Sequence, residues 1–331
     1  MSDDRLLDLR LRDLRVSLDR THVARRIRRV RGELRRRGLT FQPHVWISTE
    51  WFSPDGVPGF AVPFYLAHPR LTKLEQKMML QVEGGSEREG LKIIRHEVGH
   101  AVCTAYRLYY RKQWRRIFGP YSKPYPTHYK PDPFSHNFVL HFNAWYGQAH
   151  PAEDFAETFA VWLRWAPVVW RKQYKGWPAL RKLEYVDELM REVAGVRPAV
   201  RHRRVVEPIS QISITLRDHY RRKRRRYAED WPDFYDRDLR RIFSDEPRYR
   251  RHESAASFLR RVSPLVRPIV ADWTGTHQYT IDQVLLDMID RCRELKLRLA
   301  VAQREAESQV TLMLTVQTLN FLHEGRHHFA I

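Results

Sequence analysis

The segment His96-Glu97-Val98-Gly99-His100 constrains this chain more than any other stretch. It lies in a run where Leu91, Ile94, Val98, Ala101, Ala105 and Leu108 recur at helical spacing. Ser86 and Glu89 open that run as a capping-box pair, just after the Gly84-Gly85 break. On a helix, residues four apart share a face, so both imidazoles can reach one metal ion while Glu97 reaches a water beside it. The spacing is not decisive by itself. With 16 His and 20 Glu in 331 residues, chance placement yields such a pentapeptide in about one chain in twenty.

Two imidazoles need a further ligand. Downstream, HPAEDFAETFAVWL places Glu153 and Glu157 at i and i+4, with Pro151 suited to the first turn of a helix running to about Trp165. Phe155, Phe159 and Trp162 fall on another side and are expected in the core, as are Trp145 and Trp165, while Asp154 is left as the surface acid. This geometry aims two carboxylates at the His96–His100 helix. Glu153 is then the third protein ligand of a two-His, one-Glu zinc site with an open fourth position. Glu157, one turn on, accepts the other ring N–H of His96 and fixes its tautomer. His128, His136, His141 and His150 lie between the two helices, and His150 is the rival third ligand, although beside Pro151 it reads as a local cap. Zinc in such a site lowers the pKa of its water towards about 7, and Glu97 is the general base that takes the proton.

A helix carrying HEVGH followed by one carrying EDFAETF resembles the gluzincin-type zinc metallopeptidases of the zincin fold. The pattern is similar to the catalytic domain of anthrax lethal-factor-like proteases and to bacterial zinc-binding metallopeptidase families, over roughly residues 40–170. The resemblance implies an α+β, zincin-like core: a small sheet, the HExxH helix and the third-ligand helix. It implies hydrolysis of a peptide or protein substrate. Tyr146, seven residues before Glu153, matches a tyrosine that assists catalysis in the lethal-factor type, where it would donate to the developing oxyanion. The strand region 45–52 would offer its edge to an extended peptide. The metzincin pattern does not fit, because it requires glycine and histidine where this chain has Cys103 and Tyr106.

A second HExxH, His323-Glu324-Gly325-Arg326-His327, has a glycine inside its turn and no ligand helix after it, so it reads as a polar chain end. Elsewhere, residues 1–38 form a basic helical segment ending at Gly38. Residues 42–67, punctuated by Pro54-Asp55-Gly56 and Pro58-Gly59, read as two or three short strands, and 70–82 as a helix. Residues 118–150, rich in Pro, Tyr and His, read as a long functional loop. Helices are expected at 178–194, 211–228, 254–262 and 278–310. The resulting organisation is 1–38, a catalytic domain over 39–175, and a helical, Arg-rich region over 176–331.

Lys plus Arg number 59 against 39 Asp plus Glu, a net +20. The excess sits in residues 1–40 (13 basic, 6 acidic) and 166–230 (17 and 8), whereas 41–100 is nearly neutral (6 and 7). The densest run, Arg221–Arg226, would attract a polyanion. It supplies the alternative from another class: a nucleic-acid-associated zincin, broadly as SprT-like proteases act near DNA, or a non-catalytic binding protein using its Arg-rich helices. Two cysteines, Cys103 and Cys292, exclude a disulfide framework and a four-thiolate zinc site. No apolar run approaches the roughly 18 residues of a membrane span, and the N-terminal stretch is unlike a secretory signal. A cytoplasmic location with no membrane partner is the expectation.

Overall fold

The computed structural model describes residues 2–126, 129, 132, 134–142, 145–227 and 236–323. The chain divides into two compact units, Met1–Met78 with Val82–Asp218, and Met79–Gln81 with His219–Ala330.

The first unit opens with α1 (Asp3–Leu7) and α2 (His22–Arg36), capped by the side chains of Ser2 and Thr21. Arginine is a good helix former, and Val23, Ile27, Val30 and Leu34 give α2 a single buried stripe between its arginines. Strands β1 (His44–Ser48) and β2 (Gly59–Pro63) pair in parallel, Trp46 opposite Ala61. Phe52, on the way between them, forms an isolated antiparallel bridge to Ala61. β2 is buried at every position, which is why its sequence shows no alternation. The side chains of β1 are engaged as well, with Trp46 Nε1 donating to the carbonyl of Val206 and Ser48 Oγ to that of Glu207.

Helices α3 (Pro69–Met79), α4 (Glu87–Ala105), α5 (Lys112–Phe118), α6 (Pro151–Arg164), α7 (Pro167–Gln173) and α8 (Ala179–Val193) follow. One apolar core joins Leu34 of α2, Phe60 and Val62 of β2, Ile94 and Val98 of α4, Phe155 and Phe159 of α6, and Leu183 and Val186 of α8. Helix α8 therefore shares one core with α4 and α6, whereas a boundary at residue 175 would separate them. At that boundary the chain only turns, with Gly176 at φ +82.

Helix α9 (Leu216–Tyr227) carries the chain into the second unit, which contains α10 (Asp236–Ile242), β3 (Phe243–Ser244), α11 (Ala255–Thr274), α12 (Gln278–Glu294), β4 (Arg298–Leu299) and α13 (Gln303–His323). β3 and β4 form a short antiparallel pair. Helix α11 runs on where the sequence suggested a stop, through Pro264 and Pro268. Both prolines are exposed, so the carbonyls that lose a helical N–H partner face water. The 278–310 pattern is instead broken after Glu294, where Lys296 turns at φ +54. The described chain is thus mostly helical with small two-stranded sheets, and none of its described helices is long and apolar enough to cross a membrane.

Candidate metal centre

Helices α4 and α6 meet at Gly99, where no side chain would fit without a shift. A Cβ at Gly99 would lie 3.0 Å from Ala156 Cα and 3.3 Å from both Ala156 O and Phe159 Cδ1. The start of each helix is fixed locally. Ser86 Oγ accepts from Glu89 N (3.2 Å) at α4, and His150 Nδ1 accepts from Ala152 N (3.1 Å) at α6. The other ring nitrogen of His150 donates to Lys123 O (2.7 Å), so this histidine is a cap with both nitrogens occupied, not a third ligand.

Among the described residues, His96, His100 and Glu153 form a group whose ligand atoms all lie within 4.8 Å of one another. His96 Nε2 is 3.0 Å from Glu153 Oε2, His100 Nε2 is 3.1 Å from the same oxygen, and the two Nε2 atoms are 3.1 Å apart. A tetrahedral zinc with bonds of about 2.0–2.1 Å keeps neighbouring ligand atoms about 3.3 Å apart, so the triangle fits one face of such an ion. Two imidazole nitrogens and one carboxylate oxygen are also a donor set that zinc accepts. The His96 side chain is 1% exposed and that of His100 is 16%, so solvent reaches the triangle from the His100 side.

The surrounding groups orient these donors. His96 Nδ1–H donates to Glu157 Oε1 (2.9 Å), so Nε2 is the ring nitrogen turned to the triangle. The backbone N–H of Phe142 donates to Glu157 Oε2 (2.8 Å). Burial disfavours charge on His96, yet the Glu153 and Glu157 carboxylates overcome it and push its pKa up to about 10. Burial likewise opposes ionisation of Glu153, but His100 and His96 hold it well below the usual carboxylate range.

Two neighbours were not legible in the sequence. Tyr125 Oη donates to Glu153 Oε1 (2.7 Å) while its ring stacks on His150, centroids 3.8 Å apart. It thereby occupies the Glu153 oxygen that faces away from the imidazoles. Ser53 Oγ donates to Glu97 Oε2 (2.6 Å). Nothing in the turn-rich 49–58 stretch marks Ser53, whereas Tyr125 lies in the 118–150 stretch that reads as a functional loop. The ring of Tyr146 lies 5.9 Å from that of His96. Burial first, then Glu153, Tyr125, Tyr129 and Glu97, holds its phenol pKa well above the ordinary tyrosine value.

Other expectations fare differently. Asp154 is not a surface acid: it is buried, pairs with Lys182 Nζ at 2.6 Å, and burial raises its pKa to about 7. Phe155, Phe159 and Trp162 are buried, but Trp165 is 37% exposed beneath the Arg164 guanidinium. His141 is buried with Nε2 on Lys92 O, and His136 stacks on Trp177. Cys103 is a core residue whose thiol burial pushes upward. His128 lies outside the described residues, as do the side chain of His323 and residues 324–327 of the second HExxH. Along α9, Lys223 is buried while Arg221, Arg222, Arg225 and Arg226 are exposed.

No curated protein and no solved structure matches the chain. Residues 84–222, which include both α4 and α6, match the model of a family described as "Putative zinc-binding metallo-peptidase".

Proposed function

We propose that this chain is a zinc-dependent peptidase of the gluzincin type, with His96, His100 and Glu153 as metal ligands and Glu97 as general base. The observation that carries the reading is the triangle of His96 Nε2, His100 Nε2 and Glu153 Oε2, with sides of 3.0–3.1 Å. The ion's contribution is Lewis acidity, which polarises a peptide carbonyl and lowers the pKa of water at its open position.

Glu97 would be the base that takes a proton from a water held there. Ser53 occupies Oε2 of Glu97, so Oε1 is the oxygen left to accept it. The same carboxyl then delivers the proton to the departing amine nitrogen as the C–N bond breaks and the new C–O bond remains in the acid product. Tyr146 stays protonated far beyond neutral pH, so its Oη serves as a donor to the oxygen that gains charge. Tyr125, holding Glu153 Oε1, keeps that carboxylate to a single ligating oxygen. The region 45–52 would lie along an extended substrate.

The test is Glu97→Gln. The variant should bind zinc with wild-type stoichiometry and lose peptide hydrolysis by about 10²–10⁴-fold. Undiminished turnover in it would refute the assignment.

A further inference from the structure

The first unit also holds a cavity of about 500 Å³ lined by Arg28, Arg31, Arg35, Gln42, His44 and Arg203 among others, none of them a residue of the candidate metal centre. Its volume falls within the range of small-molecule sites. Arg28, Arg31 and Arg35 follow one another at intervals of three and four on α2, so one helical face presents them along about 10 Å. None of the four arginines has a carboxylate partner among the described residues. Glu33, the acid of α2, is held by Arg95 at 2.8 Å and lies 3.7 Å from Arg29.

Arg31 is the most constrained of the four. One of its terminal nitrogens donates to Pro43 O (2.7 Å), while its buried Nε has no acceptor. Burial first, then the like charges of Arg203 and Arg35, lowers its pKa from the ordinary arginine value. His44 is fixed in the wall by Nε2 on Arg204 O (2.7 Å) and by stacking on Trp46. A solvated basic surface needs neither a concave wall nor a half-buried guanidinium among like charges. An anion supplied from outside would offset the like charges that the exposed Arg28, Arg35 and Arg203 gather around Arg31.

We propose that this cavity binds an oligophosphate, an anion with several linked phosphate groups such as inorganic triphosphate or the phosphate chain of a nucleoside triphosphate. Guanidinium forks match phosphate oxygens two at a time. Three forks in a row along α2 suit a chain of phosphates better than a single anion. The cavity admits such a chain with a small attached group, but not a nucleic-acid duplex. The inference does not depend on the peptidase reading.

Calorimetric titration of the full chain with sodium triphosphate, ATP, citrate and duplex DNA tests it, at low salt and at about 150 mM. Triphosphate and ATP should bind, with citrate at least about tenfold weaker. The double variant Arg31→Gln/Arg35→Gln should lose about tenfold or more in affinity for both. Arg203→Gln, on an irregular segment outside any helix, should weaken both in the same direction and guards against a folding defect in α2. Chelation of bound metal would contribute equally in wild type and variants, so the difference between them isolates the cavity. Tighter binding of ATP supports a nucleotide as the source, and equal binding supports the phosphate chain alone. Citrate binding as tightly as triphosphate, affinities unchanged in both variants, or binding confined to duplex DNA would overturn the proposal.

Discussion

Helices α11 and α12 meet in a core of Val262, Val266, Val270, Ile281, Leu285 and Met288, all apolar. Helices α4 and α6 instead bury His96, Glu97, Glu153, Asp154 and Glu157 among their phenylalanines and valines. A buried polar group left single costs about 1–3 kcal/mol, and more when charged. Each of these five is accordingly met by a partner: Glu157 for His96, Ser53 for Glu97, Tyr125 for Glu153, Lys182 for Asp154, and the Phe142 N–H for Glu157. The first pair packs chiefly by shape, with one largely buried ion pair between its helices, Arg267 with Asp282. The polar pair needs companions drawn from distant parts of the chain, and even so Asp154 Oδ1 is left without one, an expense that stability alone does not demand.

Substitutions can break this contrast in graded ways. The largest effect is expected from Glu153→Ala, which should take metal content from stoichiometric to trace by elemental analysis. An unchanged metal-to-protein ratio would remove Glu153 from the ligand set. Phe258→Ala, in the apolar core of the second unit, should cost about 3–5 kcal/mol of that unit's stability. It should leave metal content untouched, and a parallel loss of metal would break the contrast between the two cores. Glu157→Ala should weaken metal affinity by about 10–100-fold through the freed His96 ring, measured by competition with a chromophoric chelator.

The mildest effect concerns acid. In the second unit, burial first and then nearby Lys223 lower the pKa of His219 and of His277 to about 3. A histidine near 6.5 when unfolded takes up a proton on unfolding between these values. Its stabilising contribution is complete above pH 6.5 and declines as pH falls towards 3. Urea unfolding of the second unit should show a loss of about 1 kcal/mol per histidine over the first pH unit below 6.5. A flat profile would contradict the burial of these rings.

The contrast also explains what could be read before any coordinates. Helix α6 was legible to within a residue or two because Pro151 marks its start and its phenylalanines keep helical spacing. The Glu157–His96 bond was legible because two regular helices leave few ways to aim a carboxylate four residues from another. Ser53 and Tyr125 were not, since their bonds span irregular segments in which no period carries direction. Asp154 misled for a related reason: its partner Lys182 lies on α8, and a boundary at residue 175 put that helix elsewhere. Pro264 and Pro268 misled in the opposite sense, because their solvent-facing placement within α11 cannot be judged until the helix is known to continue.

Gly99 bears on the spacing of the candidate metal site. With hydrogen in place of a methyl group, α4 rests against Ala156 at a separation that its neighbours cannot reduce further, and Gly99→Ala would force a gap of a few tenths of an ångström. The three candidate donor atoms ride on those two helices, so the spacing that Gly99 permits would bear on the size of any cation held between them. A wider-set variant should shift preference from zinc towards larger divalent ions such as cadmium. Selectivity would then be a property of one missing carbon.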